Sequence, residues 1–349
     1  MFAKLLLTAL FVCLSRPVAM AQFNTVINVP PDADPGQIGS DTQLNIFFGG
    51  VIGESFEAGN PDGSSSNAQV NLFDGVIGNN FTANSGSEFN SFGGTIGDFF
   101  TALPGSTINF NGGEIGQFLE ASDGVTINMG GNARLATNAT LTNSTIIIQD
   151  DATVVRELTL NDSELRIFDG RVGCCGSGIN PVVTASGDSV INAFGGMLDQ
   201  GTDHSLVALE DNSVMNVYGG FHAEVSMVSD TELNVFGGEV WFGVYFNGDG
   251  DINLFDGDIG AIAFSFGTGG SVNICGGSLG NLQDFGFYPD VMQVNLLQGS
   301  IDQVRLFGYM ADMNVFGGEI TDPSPFMNCL LYTSPSPRDQ RGSRMPSSA

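Results

Sequence analysis

The chain has 349 residues and carries 38 acidic against 10 basic side chains, for a net charge of −28. Such an acidic surface repels nucleic acid and anionic lipid and attracts cations, so neither nucleic acid nor an acidic membrane is expected as a partner. The 49 glycines, together with apolar positions rich in Val, Ile and Phe, exclude a mainly helical protein and favour a β fold.

The N-terminal residues 1–21 have the pattern of a secretion signal. Lys4 gives a positive start, residues 5–14 form a short apolar core, and residues 19–21 fit a small-residue cleavage site. The apolar run is too short to cross a bilayer, so no direct membrane insertion is predicted in the sequence given. We therefore expect an exported protein, secreted or held at the cell surface, in which residues 22–40 form an N-terminal cap segment.

A short phrase recurs through most of the remaining chain: an apolar residue, Asn, another apolar residue, usually Phe, and then Gly-Gly or Asp-Gly. The commonest step between successive Asn residues is 19. Ile147 and Arg166 replace Asn in two further units, which brings the count to 14. The Asn column consists of Asn45, Asn71, Asn90, Asn109, Asn128, Asn192, Asn216, Asn234, Asn253, Asn273, Asn295 and Asn314. A fixed period of this kind predicts one structural unit stacked on copies of itself.

The sequence around each Asn alternates between apolar and polar residues, which is typical of β-strands. All units run in the same direction, which favours parallel stacking over a meander of hairpins. We therefore predict an all-β fold: a single-stranded parallel β-solenoid, or β-helix, of about 14 coils over residues 41–322. Each coil is predicted to have a strand through the Asn, a Gly-Gly corner, a second strand near the following Ile and a third near a Phe-x-Ala motif.

Two side-chain columns are predicted from the phrase. Stacked Asn amides can donate to one neighbouring coil and accept from the other, which predicts a structural ladder. Its clearest members are Asn71, Asn90, Asn109, Asn128, Asn234, Asn253 and Asn314. Because a buried Arg166 would need a carboxylate partner, we expect this column to be partly exposed and to lie at a bend.

The aromatic residue two positions after Asn forms the second column, which we predict to pack in the core, with a sugar-binding strip as the alternative. The column consists of Phe47, Phe73, Phe92, Phe168, Phe194, Tyr218, Phe236, Phe255 and Phe316.

The layout of these repeats resembles bacterial secreted parallel β-helix proteins, a broad group that includes adhesin-like and autotransporter-passenger-like solenoids and the pectin lyase-like fold. The resemblance covers about residues 41–322 and lies in the repeat pattern. It implies an exported, non-enzymatic rod acting as a cell-surface or extracellular adhesin or structural protein, with extracellular polysaccharide or a cell-surface protein as partner. The alternative that it implies is a carbohydrate-active enzyme, a polysaccharide lyase or hydrolase.

If the chain is an enzyme, its site is expected in the irregular coils around residues 134–175, where four arginines gather beside a loop carrying Cys174 and Cys175. Coils place residues about 19 positions apart side by side, so two carboxylates and an arginine would meet there, as in a hydrolase site. The candidate catalytic residues are Asp150, Asp151, Asp169, Arg166 and Arg171. We favour a surface balance of charge instead, and the absence of any lysine after Lys4 argues against a lyase. Whether Cys174 and Cys175 form a disulfide is left open.

A second stretch gathers oxygen ligands at alternating positions and is a weak hypothesis for a calcium site. Its candidate ligands are Asp249, Asp251, Asn253, Asp256 and Asp258. Leu254 and Gly260 stand where an EF-hand loop needs its Gly and its closing Glu, so this is not an EF-hand. Apart from calcium, no cofactor is expected.

The repeat pattern stops near residue 320, and residues 323–349 have a Pro-, Ser- and Arg-rich composition that predicts a disordered tail. From Cys329 onward the sequence resembles a translated sequencing adapter. We therefore interpret residues 329–349 as not native to the protein.

Overall fold

The computed structural model describes residues 23–173, 181–198, 206–264, 269–284, 292–306, 311–323 and 331–333. They form a parallel β-solenoid of about 14 turns at roughly 19-residue spacing, which confirms the predicted fold. No helix occurs among these residues. The predicted signal segment, the loop with Cys174 and Cys175, and most of the predicted tail lie outside the described residues.

The strands of the first coils are short. They are β1 Thr25–Val29, β2 Gln37–Ile38, β3 Thr42–Ile46, β4 Val51–Ile52, β5 Glu57–Ala58, β6 Ala68–Leu72, β7 Val76–Ile77, β8 Thr82–Ala83, β9 Ser87–Ser91, β10 Thr95–Ile96, β11 Thr101–Ala102, β12 Thr107–Phe110, β13 Glu114–Ile115, β14 Glu120–Ser122 and β15 Thr126–Met129.

The later coils contain several longer strands. They are β16 Arg134–Thr142, β17 Thr145–Ile148, β18 Thr153–Asn161, β19 Glu164–Ile167, β20 Arg171–Val172, β21 Pro181–Ser186, β22 Val190–Ala193, β23 Met197–Leu198, β24 Leu206–Leu209, β25 Val214–Val217, β26 Phe221–Val228, β27 Glu232–Val235, β28 Glu239–Asn247, β29 Asp251–Leu254, β30 Asp258–Phe264, β31 Ser271–Ile274, β32 Ser278–Asp284, β33 Met292–Leu296, β34 Ser300–Leu306, β35 Ala311–Val315, β36 Glu319–Pro323 and β37 Leu331–Thr333.

One sheet contains the Asn column and is called the Asn sheet below. It has 16 parallel strands in the order β1-β3-β6-β9-β12-β15-β17-β19-β22-β25-β27-β29-β31-β33-β35-β37. The strands from β3 to β35 correspond to the 14 repeat units of the sequence. β1 lies in the segment expected to be a cap, yet it pairs in register with β3. β37 lies in the segment expected to be a tail, and it pairs with β35.

The other 21 strands form a second sheet, and the lengths of these strands change along the rod. In the early coils the second and third predicted strands are separate two- or three-residue strands, such as β13 and β14. Both of these pair with the single nine-residue strand β16, so the two sides merge there into one continuous strand. The three-strand coil of the sequence prediction therefore describes the first part of the rod and the two later coils that contain β20 with β21 and β23 with β24.

The core is filled by the inward-pointing half of each strand. In β12, Ile108 and Phe110 are fully buried, whereas Thr107 and Asn109 face outward. The Phe-x-Ala motif also packs inside, with Phe81 and Ala83 fully buried. Each large apolar side chain that becomes buried contributes roughly 1.5–3 kcal/mol. The largest buried side chains are Phe56, Phe81, Phe89, Phe100, Phe110 and Phe246.

The glycine corner follows the Asn strand. Both the backbone conformation and the close approach of the preceding coil require a glycine at its second position. Gly238 has a φ of +80°, and a Cβ placed on it would lie 2.8 Å from the carbonyl oxygen of Gly220 in the preceding coil. The first glycine of the pair has no positive φ, so Asp74, Asp169 and Asp256 are tolerated there. These corners fix where the strands of the Asn sheet end and therefore align the columns on its outer face.

Candidate functional site

The outer face of the Asn sheet carries a hydrogen-bonded Asn ladder. Each Nδ2 donates to the Oδ1 of the Asn in the preceding coil, at 2.8 to 3.1 Å. The members are Asn28, Asn45, Asn71, Asn90, Asn109 and Asn128, followed after a break by Asn192, Asn216, Asn234, Asn253, Asn273, Asn295 and Asn314. The predicted bend is wrong, because these residues lie within strands, where the alternation points them to the outer face.

An ion pair lies where the ladder resumes after the break. The Nε and Nη2 atoms of Arg166 donate to the two carboxylate oxygens of Glu164, each at 2.7 Å. This hydrogen bonding, together with the charge of Glu164, raises the pKa of Arg166 above its usual value. Glu164 Oε1 also accepts from Asn192 Nδ2 at 2.9 Å, so a carboxylate begins the second part of the ladder.

The aromatic column lies on the same outer face, and the predicted core position is wrong. The rings two residues after Asn are between 39% and 61% exposed. The physical reason is the period of a strand: residues i and i+2 point to the same side, so Phe follows Asn outward. The exposed members are Phe47, Phe73, Phe92, Phe168, Phe194, Tyr218, Phe236, Phe255 and Phe316.

Eight of these nine rings form two separate stacks. The first aromatic ladder, Phe47, Phe73 and Phe92, has ring centroids 5.2 and 5.3 Å apart and nearly parallel planes. The second aromatic ladder stacks five rings with centroids 4.8 to 5.0 Å apart and planes within 9° of each other. Its members are Phe168, Phe194, Tyr218, Phe236 and Phe255. Stacking at this distance adds roughly 0.5–1.5 kcal/mol per pair beyond burial.

Between the two aromatic ladders lie three coils without a ring at this position. Asn111, Gly130 and Gln149 occupy it instead. We call this interval the gap. It coincides with the coils in which the residue two positions before the Asn column is Thr107, Thr126 or Thr145.

The candidate catalytic residues are divided between different surfaces. Asp151, Asp169 and Arg171 line one open depression of about 520 Å³ on the second sheet's side of the corner. Arg166 lies on the outer face of the Asn sheet, bound to Glu164. Asp150 has a φ of +56°, and its Oδ2 accepts from the backbone N–H of Gly131 at 3.0 Å, so it acts as a corner residue.

Asp169 and Asp256, from the two different candidate sites, occupy the same position of the coil. Asp169 Oδ1 accepts from the N–H of Gly170 at 2.9 Å, and Asp256 Oδ1 accepts from the N–H of Gly257 at 2.8 Å. Both carboxylates therefore satisfy the backbone of their own Asp-Gly corner. This shared structural role accounts for their presence without catalysis or metal binding.

The candidate calcium ligands are spread around one coil. Asp251 and Asn253 lie on β29 in the Asn sheet, Asp256 lies in the corner, and Asp258 begins β30 in the second sheet. Asp249 lies in the turn before β29. Asp251 accepts from the N–H and Oγ of Ser271, while Asn253 is engaged in the ladder. Within the described parts of the chain, no group of three His, Cys, Asp or Glu residues is arranged to hold a metal ion.

The repeat pattern of the sequence does not predict two features of this face. Asn28 starts the ladder one coil before Asn45, because Asn45 Nδ2 donates to it at 2.9 Å. Its segment lacks the following Phe and Gly-Gly, and only the Val-Ile-Asn-Val alternation could have revealed it. The residue two positions before Asn is also part of the ladder: Gln69 accepts from Asn71, and Glu88 from Asn90.

Comparison with known proteins gives no family for this chain. No protein-family model matches it. No curated protein and no solved structure shows significant similarity either. Among the described residues, no helix has the length and apolar character needed to cross a membrane.

Proposed function

We propose that this protein is an exported, non-enzymatic β-solenoid rod that acts as an adhesin or structural protein at the cell surface or in the extracellular matrix. The observation that carries the proposal is the exposed aromatic column. A contiguous row of apolar side chains on the surface of a soluble protein is typical of an interaction site. Here one coil position repeats such a side chain along the outer face of the Asn sheet, and the signal-like residues 1–21 favour a place outside the cell.

The architecture also supports a passive, rod-like role. The second aromatic ladder and the Asn ladder run together along the Asn sheet, with each coil bonded to the next. A surface built in this way is preorganised and loses little conformational entropy when a partner binds. Extracellular polysaccharide or a cell-surface protein would meet a long, rigid face.

The experiment is adhesion of the full-length protein to cell envelopes and extracellular matrix of the producing organism, measured by co-sedimentation. We expect the wild type to sediment with them and the double variant Phe168→Ser with Phe194→Ser to sediment less. Trp241→Ala is the matched control, because Trp241 is an exposed aromatic side chain on the second sheet, and it should leave adhesion unchanged. Equal adhesion of the wild type and the double variant would contradict the proposal.

The second candidate function is a carbohydrate-active enzyme, and the depression lined by Asp151, Asp169 and Arg171 is the observation that favours it. We rank it second because the Asp169 carboxylate is engaged at its own corner. A panel of acidic and neutral polysaccharides, assayed for new reducing ends and for unsaturated products, separates the two functions. Turnover that is abolished by Asp151→Asn would overturn the non-enzymatic proposal.

A further inference from the structure

Two exposed phenylalanines lie at a corner between strands of the second sheet. Phe99 and Phe118 are 49% and 40% exposed, and their rings stack with centroids 4.9 Å apart and planes within 9° of each other. They occupy the same position in successive coils, because the N–H of Phe99 donates to the carbonyl oxygen of Gln117, which directly precedes Phe118. Neither ring fills the core or belongs to the two aromatic ladders, so the packing of the coil does not account for the pair.

The backbone at this corner is poorly suited to phenylalanine. Phe99 and Phe118 have φ values of +64° and +60°, in the left-handed region that bulky side chains seldom adopt. Asparagine tolerates this region better, and Asn80 and Asn138, each with a φ of +59°, hold the same corner position in the adjoining coils. Rings that are both strained and exposed cost the fold free energy, which points to a use other than folding.

The two asparagines that flank the phenylalanine pair both have the sequence pattern of an acceptor for an N-linked glycan. Residues 80–82 read Asn-Phe-Thr and residues 138–140 read Asn-Ala-Thr, which fit Asn-x-Ser/Thr without a proline. Asn80 is exposed. Asn138 is half-buried, and its Nδ2 donates to Thr137 Oγ1 at 3.1 Å. That bond uses one of the two amide hydrogens, so the other remains for attachment.

The acceptor pattern is absent from the Asn ladder. No ladder asparagine is followed by Ser or Thr at the second position, so a glycan on any acceptor leaves the ladder intact. The pattern occurs at two further places, residues 143–145 and 161–163. Asn143 lies in the turn before β17, and Asn161 ends β18. Of the four acceptors, Asn80 and Asn138 are the two that share a corner position with the exposed phenylalanine pair.

We propose that Asn80 and Asn138 carry N-linked glycans whose first sugars cover the rings of Phe99 and Phe118. Along the rod these four residues follow one another at steps of about 4.8 Å, in the order of the chain. Each ring therefore has an acceptor asparagine as its neighbour on the side away from the other ring. An aromatic ring offers an apolar surface to the C–H groups of a sugar. Covalent attachment selects this occupant and holds it at a high effective concentration beside the ring.

The modification is a group transfer from a lipid-linked oligosaccharide diphosphate. The asparagine Nδ2 forms a bond to the anomeric carbon of the first sugar, while the bond from that carbon to the diphosphate oxygen breaks. The lipid diphosphate leaves with the bonding electron pair, and the amide loses one proton. The other amide hydrogen stays, so Asn138 keeps a donor for Thr137.

The inference rests on export, which belongs to the proposed function, and does not rest on adhesion. It requires an export route that supplies this oligosaccharide donor. The resemblance to bacterial β-helix proteins lies in the repeat layout, and no family model matches the chain, so the resemblance does not select the route.

The test is glycopeptide mass spectrometry of the full-length protein recovered from the medium and the cell surface of the producing organism. We expect glycans on the peptides that contain Asn80 and Asn138, and peptide-N-glycosidase should release them and leave Asp at both positions. Thr82→Ala with Thr140→Ala should abolish both glycans. Thr82→Ser with Thr140→Ser is the matched control and should keep them, because serine retains the acceptor hydroxyl.

A second measurement reports whether the glycans cover the rings. Release of the glycans from the folded wild type should raise the emission of Nile red, an uncharged dye that binds exposed apolar surface, and shift it to shorter wavelength. Phe99→Asn with Phe118→Asn should abolish that rise. Asn143→Gln removes an acceptor that lies outside the corner column and should leave the rise unchanged.

The opposite results distinguish the inference from the proposed function. Exported protein with unmodified Asn80 and Asn138 overturns the inference and leaves the exported rod standing. Glycans whose release leaves the dye emission unchanged overturn the covering of the two rings. Protein that is found only inside the cell, without glycans, overturns both the inference and the proposed export.

Discussion

At the scale of single residues, position within the coil decides what each side chain does. Asp169 and Asp256 belong to two different candidate sites, yet each accepts the same hydrogen bond at its Asp-Gly corner. Phe81 fills the core, whereas Phe73, in the same coil, is an exposed ladder ring. Residue type alone therefore predicts neither catalysis nor burial in this fold, and the most restrictive position is the second glycine of each corner.

Replacing that glycine by alanine should destabilise the rod. In Gly238→Ala, the added Cβ would meet the carbonyl oxygen of Gly220 at 2.8 Å, on a backbone with a φ of +80°. We expect a loss of about 1–3 kcal/mol in the free energy of unfolding, measured by urea denaturation with circular dichroism. The control is Gly269→Ala, where the φ is not positive and the added Cβ meets nothing closer than the Asp249 carboxylate at 3.8 Å, so stability should change by less than about 1 kcal/mol. Equal stability of wild type and Gly238→Ala would contradict the steric argument.

At the scale of the structural element, the unit of stability is the contact between neighbouring coils. Backbone pairing continues through the ladder break, since β17 pairs in register with β19 and β19 with β22. The side-chain ladder, however, stops at Asn128 and resumes at Asn192 through Glu164. Strand pairing therefore tolerates a changed side chain, whereas the amide ladder depends on every member.

Removing an interior member of the ladder should be costly. Asn109→Leu leaves the Nδ2 donor of Asn128 and the Oδ1 acceptor of Asn90 without their partners. We expect a loss of about 1–2 kcal/mol in the free energy of unfolding, again from urea denaturation. Ile147→Asn is the matched control, because it offers Asn128 a new neighbour at the break and should not destabilise. If Asn109→Leu were as stable as the wild type, the ladder would contribute nothing to folding.

The sequence predicts the strands of the coil but does not predict which side chains lie on its outer face. Period and alternation predict the parallel strands because both are set by the backbone. The aromatic column was assigned to the core from residue type, although Asn45 and Phe47 are two positions apart and must share a face. The continuous strand β16 has a weaker signal in the sequence, which is the loss of the Phe-x-Ala motif after Ala121. The gap has no signal in the sequence until the coils are aligned in register.

At the scale of the whole molecule, the charge and polarity of the rod's surface differ along its length and around its circumference. Fourteen coils at about 4.8 Å give a length of roughly 65 Å. Negative charge dominates the chain as a whole, but the outward side chains of β12, β15 and β17 in the Asn sheet carry no charge. In a stacked array each coil contacts only its neighbours, so these coils can differ in chemistry without altering distant coils.

The excess of acidic residues predicts a stability that rises with ionic strength. With 38 acidic and 10 basic side chains, mutual repulsion opposes the compact state. Raising NaCl from about 10 mM to about 150 mM shortens the Debye length from about 30 Å to about 8 Å. We expect the thermal unfolding midpoint, followed by circular dichroism, to rise by several degrees. A midpoint that falls or stays constant would show that repulsion is already balanced within the fold.

The same measurement decides the calcium hypothesis when NaCl is replaced by CaCl₂ or MgCl₂ at equal ionic strength. Asp251 already accepts two hydrogen bonds from Ser271, and Asp256 accepts one from its own corner, so the five candidate oxygen ligands do not converge. We expect the two divalent salts to raise the unfolding midpoint equally, through general attraction to an acidic surface. Asp251→Asn is the control. An increment specific to calcium that this variant removes would restore a calcium site in this coil.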